Sequence, residues 1–428
     1  MFSLKRHLVL TTLTLACAFA GSVPRAHGST RALPARFPAL DGGQAVAPHV
    51  LVSALTTAPD GTLYAGGNYA VPNTSAYANS PVYALGSVWM VSRDHGATWS
   101  QRLSTTDPHA FPKSGVAPWT DHTAWPIDFT PAAITVDPHH PNVIYAAGCT
   151  DTGGHSGGRC AFPLGGPMVV RSTDGGQTWQ TSLSQANIVN TPALRAAYQY
   201  SGAIPTQAYA VVVDPRNSQH LYAALSGLGV VSSADGGRTW TYVTQPQSNQ
   251  TTRPCELVLD PRRPNTLYEL DRAGALYRTT DSGAHWAVRS LLNLVVSGTS
   301  SSLTFVGTTL YVTAAKGIYA STDGGVHWQL RYPAPPTGGF SESVRDAAGW
   351  IAAFEPLKAG PVAGLYRMRD GQMWQSVADT DKRGPQYFGS LDFRTEGTYL
   401  VTRLWEDHRA RVVFTAGATG GLYRWQAN

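Results

Sequence analysis

The chain has 428 residues, of which 43% are hydrophobic and 14% charged, with 43 glycines and 29 prolines. That balance excludes an extended disordered chain, which needs charge excess and few apolar residues, and favours a compact fold rich in turns. The net charge of +5 is mild and dispersed, which argues against nucleic acid as a partner.

The chain opens "MFSLKRHLVLTTLTLACAFAGS", where Lys5 and Arg6 precede an apolar stretch over 8–20 that closes on Ala18, Phe19 and Ala20. Residues 1–20 read as a secretory signal peptide, and they point to an extracellular, oxidising destination. Cys17 offers lipid anchoring as an alternative, although Thr14 stands where a lipoprotein box carries Leu. No later stretch is long and apolar enough to span a bilayer. Removing the leader leaves 30 basic against 27 acidic residues.

Residues 21–45 form an N-terminal segment, and 46–428 read as one repeat domain. Within it a sentence recurs: "AAITVDPHHPNVIYAAG", "AYAVVVDPRNSQHLYAAL" and "CELVLDPRRPNTLYEL" each hold an apolar run, an Asp-Pro turn and a second run around Leu-Tyr or Ile-Tyr. Two strands joined by a tight turn are implied. A third strand such as "GVVSS" follows, then the phrase "STDGGQTW" or a near-copy, then a fourth strand. Units begin near 50, 132, 208, 255, 301, 342 and 387. Four-stranded units at this spacing predict an all-β fold, a single seven-bladed β-propeller of antiparallel blades. The last unit lacks a fourth strand, and "LPARFPAL" at 33–40 is the candidate to supply it and close the ring.

The recurrent phrase centres on Asp94, Asp174, Asp235, Asp281, Asp323 and Asp370. A Ser or Thr, an Asp and a Gly suit the turn between third and fourth strands, because carboxylate and hydroxyl bond nearby N–H groups and Gly tolerates positive φ. A Trp a few residues later can wedge between blades. A catalytic acid is needed once or twice, not at every corner of a ring, so these aspartates are read as structural. Cys149 and Cys160 flank the Gly-rich "TDTGGHSGGR" and are expected to form a local disulfide, leaving Cys255 over.

The phrase Ser/Thr-x-Asp-x-Gly-x-x-Trp resembles the Asp-box, or BNR, repeat. The whole domain is similar to Asp-box propellers, which include bacterial sialidases, xyloglucan-cleaving glucanases, sortilin-type receptors and the photosystem II assembly factor family. A sialidase would need three arginines for the substrate carboxylate, a Tyr nucleophile helped by a Glu, and an Asp acid/base. Glu256, Arg272 and Tyr387 resemble part of that set. Val50, however, stands where the first Arg is expected, "RFP" at 36–38 lies too far upstream to replace it, and "NYAVPNTSAYANS" lacks the Arg or Asp of the following loop. The resemblance therefore implies the fold without sialidase activity.

Insertions concentrate in connections expected on one face of the ring, at 66–86, 105–131, 149–166, 184–206, 333–341, 378–386 and 405–419, which marks that face for binding. The richest carries Trp119, Asp121, His122, Trp125 and Asp128: two apolar rings for a pyranose and acceptors for its hydroxyls. Packing of the long loop by its own Trp and Pro is the alternative for these residues. Two opposed carboxylates would suffice for glycoside hydrolysis. Candidates on this face are Asp121, Asp128, Asp151, Glu342, Glu355 and Glu406. The 13 histidines show no paired ligand spacing and no phosphate loop is present, so neither metal nor cofactor is expected. The expectation is a secreted monomer that binds a glycan or an extracellular protein on the inserted face, with a glycoside hydrolase as the alternative.

Overall fold

The computed structural model describes residues 41–47, 50–72, 82–104, 129–150, 167–201, 207–243, 254–271, 275–291, 302–314, 316–335, 338–346, 349–356, 364–368, 373–379, 401–407, 412–417 and 422–426. Its strands pair into four-stranded antiparallel sheets. After β1 (Asp41–Ala47), the first blade holds β2 (Val50–Thr57), β3 (Leu63–Pro72), β4 (Val82–Ser92) and β5 (Ser100–Ser104). The second holds β6 (Phe129–Val136), β7 (Ile144–Thr150), β8 (Pro167–Ser172) and β9 (Gln180–Leu183), and is followed by two helices, α1 (Gln185–Asn190) and α2 (Pro192–Ser201). The third holds β10 (Ala208–Asp214), β11 (Asn217–Leu225), β12 (Gly229–Ser233) and β13 (Thr241–Tyr242). The fourth holds β14 (Pro254–Asp260), β15 (Arg263–Asp271), β16 (Ala275–Thr279) and β17 (Ala287–Leu291). The fifth holds β18 (Leu303–Val306), β19 (Thr309–Ala314), β20 (Gly317–Ser321) and β21 (Gln329–Pro333). The sixth holds β22 (Gly338–Asp346), β23 (Gly349–Pro356), β24 (Gly364–Met368) and β25 (Gln375–Asp379).

These six blades are each built from consecutive strands. A further sheet is composite, with order β1-β28-β27-β26, where β26 is Val401–Asp407, β27 Val412–Gly417 and β28 Leu422–Gln426. Innermost strands touch in sequence around the molecule: β2 meets β6, β6 meets β10, β10 meets β14, and β14 meets β18. Beyond them β19 meets β22, β22 meets β26, and β26 returns to β2. The sheets therefore form a closed β-propeller.

Each seam is an apolar sandwich, as the strand alternation requires. Between the first two blades it contains Tyr64 and Trp89 from one side and Phe129, Ile144, Ala146, Val170 and Trp179 from the other. Tyr64 and Trp89 stack at 5.6 Å, and Trp179 meets Trp89 edge-on at 4.7 Å. The second-strand aromatic also reaches the Asp phrase of the following blade. Tyr145 donates to the Gly236 carbonyl at 3.0 Å, Tyr222 shares a hydrogen bond with the Ser282 side chain, and the Tyr268 hydroxyl lies beside Gly324. The composite sheet joins the first blade by the same rule: Phe414 packs on Gly96 and meets Trp99 edge-on at 6.1 Å, and Arg424 Nε donates to the His95 carbonyl at 3.0 Å.

Two expectations are corrected and a third gains its structure. The closing strand is Asp41–Ala47, immediately after the segment 33–40 that was expected to supply it. The last unit's inner strand is Val401–Asp407, and the supposed insertion at 405–419 is largely the β26–β27 pair, with Glu406 opposite Val413. The insertion at 184–206 contains helices, begun by a capping box at Ser184 and Asn187 that satisfies the free N–H groups of α1. Ile188 and Leu194 anchor them in the seam between second and third blades.

Candidate functional site

The two faces of the ring differ in what they leave free. On the box face, the carboxylates are occupied by local bonds. Ser172 Oγ donates to Asp174 Oδ1 at 2.8 Å and accepts from the Gly176 N–H at 2.8 Å. The backbone N–H groups of Gln177 and Thr178 each donate to Asp174 Oδ1 at 2.9 Å, and Thr178 Oγ1 donates to Oδ2 at 2.6 Å. Asp94 and Asp235 repeat the pattern with Thr98 and Thr239, and Asp281 and Asp323 with His285 and His327. Bonds from Thr98 hold the Asp94 carboxyl down to about 2. For Asp174, partial burial acts upward but the bonds from Thr178 and Ser172 outweigh it and lower its pKa.

The Asp-Pro turns on the same face lace neighbouring blades together. Asp137 accepts from the His139 N–H at 2.9 Å and, across the seam, from Ser218 Oγ at 2.7 Å. His139 Nε2 lies 2.8 Å from the Pro215 carbonyl, and Arg216 donates to the Arg262 carbonyl. No carboxylate among these is left for chemistry.

Among the described residues, the opposite face, reached by the 2–3 connections and the links between blades, holds two carboxylates that break the repeat. In the first three blades the residue after the second-strand Tyr is Ala65, Ala146 and Ala223, and in the fifth it is Val312; the fourth has Glu269. Two positions on, Gly67, Gly148, Leu225 and Ala314 correspond to Asp271. Glu269 pairs with Leu257 and Tyr277, so it shares the face of β15 that packs on the third blade against Ala210, Ala224 and Val230. Glu269 is 1% exposed and Asp271 3%. Glu269 Oε2 has no hydrogen-bond partner. Burial, and then the neighbouring Asp271 charge, push the Glu269 pKa up to about 8. Asp271 Oδ1 accepts from the Ala275 N–H at 2.7 Å.

The residues singled out from the sequence are placed as follows. Glu256 lies on β14 opposite Leu270, on the other side of the fourth blade from Glu269, so the two do not converge. Glu342 sits on β22 opposite Ala353, and Glu355 on β23 opposite Gly339, both on blade strands rather than in an insertion. Glu406 falls near the box-face end of β26, which removes it from the inserted face. Val50, standing where a sialidase arginine would be, is a buried seam residue. Trp119, Asp121, His122, Trp125, Asp128, Asp151, Cys160, Arg272, Asp370 and Tyr387 lie outside the described residues. Cys149 is buried and disulfide-bonded; its expected partner, Cys160, is among those just named. Glu269 and Asp271 escaped the sequence reading, although laying "LYAGG", "IYAAG", "LYAAL" and "LYELD" over one another exposes them.

The four-stranded blades, the ring of seams and the repeated turn define a BNR-type β-propeller. Residues 170–181 match the family model for the BNR/Asp-box repeat. A xyloglucanase from Paenibacillus sp is 28% identical over 183 residues, a match that takes in 36% of this chain and 16% of that enzyme. Among solved structures, YCF48 bound to D1 peptide superposes with a TM-score of 0.53 at 14% identity, covering 92% of this chain and all of that one. The extracellular domain of the putative hybrid two-component system BT3049 from B. thetaiotaomicron gives 0.52 at 10% identity, over 89% of this chain and 40% of that one.

Proposed function

We propose that the chain is a secreted, monomeric propeller of seven blades that binds a polysaccharide on its inserted face. The observation that carries this reading is the contrast between faces: box-face carboxylates are engaged by their own turns, while departures from the repeat gather opposite. Similarity to a xyloglucanase supports a β-glucan as the class of ligand. Hydrolysis is the second reading, favoured by that same relative. Against it, Glu269 and Asp271 are closed off from a sugar by their burial.

Affinity electrophoresis in xyloglucan, together with assay of newly formed reducing ends, tests both. Binding predicts retarded migration, lost when Trp119 and Trp125 are both replaced by Ala, and no new reducing ends. Reducing ends formed by the wild type would establish hydrolysis instead. Unretarded migration in xyloglucan and other β-glucans would overturn the glycan reading and leave an extracellular peptide as the ligand class to try.

A further inference from the structure

We propose that Glu269 and Asp271 hold a hard divalent cation, of the calcium class, at the inserted-face end of the seam between third and fourth blades. A carboxylate placed where three sister blades have alanine adds nothing to apolar packing. Buried with an oxygen lacking any partner, it costs free energy unless an ion or hydrogen bond compensates. Asp271 brings a second carboxylate to the same side of the same strand, and the two can both be ionised in that buried seam only against mutual repulsion. One doubly charged cation would cancel that repulsion and fill the free position on Glu269 Oε2.

The donor set selects the ion. Both groups offer only oxygen, and among the described residues no cluster of three His, Cys, Asp or Glu is present. Zinc and copper favour nitrogen and sulfur, whereas calcium accepts carboxylate, backbone carbonyl and water oxygens in a flexible shell. The third blade contributes small apolar side chains, Ala210 and Ala224, to this seam, and neither can neutralise the pair. A sugar is too large for so closed a place; an ion is not.

The test uses the whole secreted protein, stripped with EDTA and returned to CaCl2 or to TbCl3. Calcium should raise the melting temperature, and terbium should give aromatic-sensitised luminescence that calcium displaces. Glu269→Gln should lose both responses. Glu269→Ala, the residue of the sister blades, keeps the test decisive should the Gln variant fail to fold: it should be stable in EDTA and indifferent to calcium. Wild-type protein that ignores calcium, or an Ala variant that responds as the wild type does, would overturn the proposal. Loss of calcium response with unchanged xyloglucan retardation would separate this site from the glycan face.

Discussion

The two glycines of the phrase look interchangeable in sequence and are not. The first adopts φ of +73° at Gly175, but His95 and Ser282 fill the same place at +57° and +61°, because it faces outward. A Cβ on Gly175 would have its nearest neighbour 3.4 Å away, whereas one on Gly176 would overlap the Trp89 indole of the preceding blade. Gly175→Ala should therefore cost about 1 to 2 kcal/mol, the ordinary left-handed penalty. Gly176→Ala adds a steric clash in the seam and should cost about 2 to 5 kcal/mol, with urea unfolding midpoints ranking the two. Acid sensitivity also belongs to single residues. Asp94 and Asp235 are held near 2 in the fold, well below an unfolded aspartate at about 4. Depressed folded values mean that their stabilisation is complete above about pH 4 and is lost as pH falls toward 2. Melting temperature should drop through that window, and Asp94→Asn should flatten part of the drop.

At the scale of the element, what was legible followed the reach of the signal. The phrase is local, so Ser172, Asp174, Gly176 and Trp179 announced a turn and its wedge without knowledge of any other blade. The Leu-Tyr strands were legible by repetition. The last sheet lacks the phrase, and without that marker the end of β26, "WED", and the whole of "VVFTAG" fall inside the expected insertion at 405–419, which puts Glu406 on the wrong face. The closing strand "DGGQAVA" has two glycines and no alternation, so only its long-range pairing, Asp41 with Gln426, makes it a strand. Helix α2 has its signal in the sequence, Pro192 at its first position, but that signal stands apart from the strand repeat that organises the rest of the chain. Deleting residues 41–47 should leave β28 as a bare edge. Calorimetry should then show a lower melting temperature, and size-exclusion chromatography should show association through the open strand. Unchanged melting would mean that β1 is dispensable and that the Arg424 and Phe414 contacts close the ring by themselves.

For the molecule as a whole, seams do the work that a single central core does elsewhere. Every blade buries one face on each neighbour, so no blade has a finished surface until both neighbours stand. The ring therefore behaves as one cooperative body, and the inserted face is held by a frame whose opposite side is locked by short turns. That division lets one face diverge while the other keeps its phrase. The composite sheet carries a temporal consequence as well. β1 and its hydrogen-bonding partner β28 bracket every other strand in chain order, so β1 must wait unpaired while all the strands between them are made. Closure then has the entropy of a very long loop against it, and whatever escorts the nascent chain has to shield that waiting edge until residue 426 arrives.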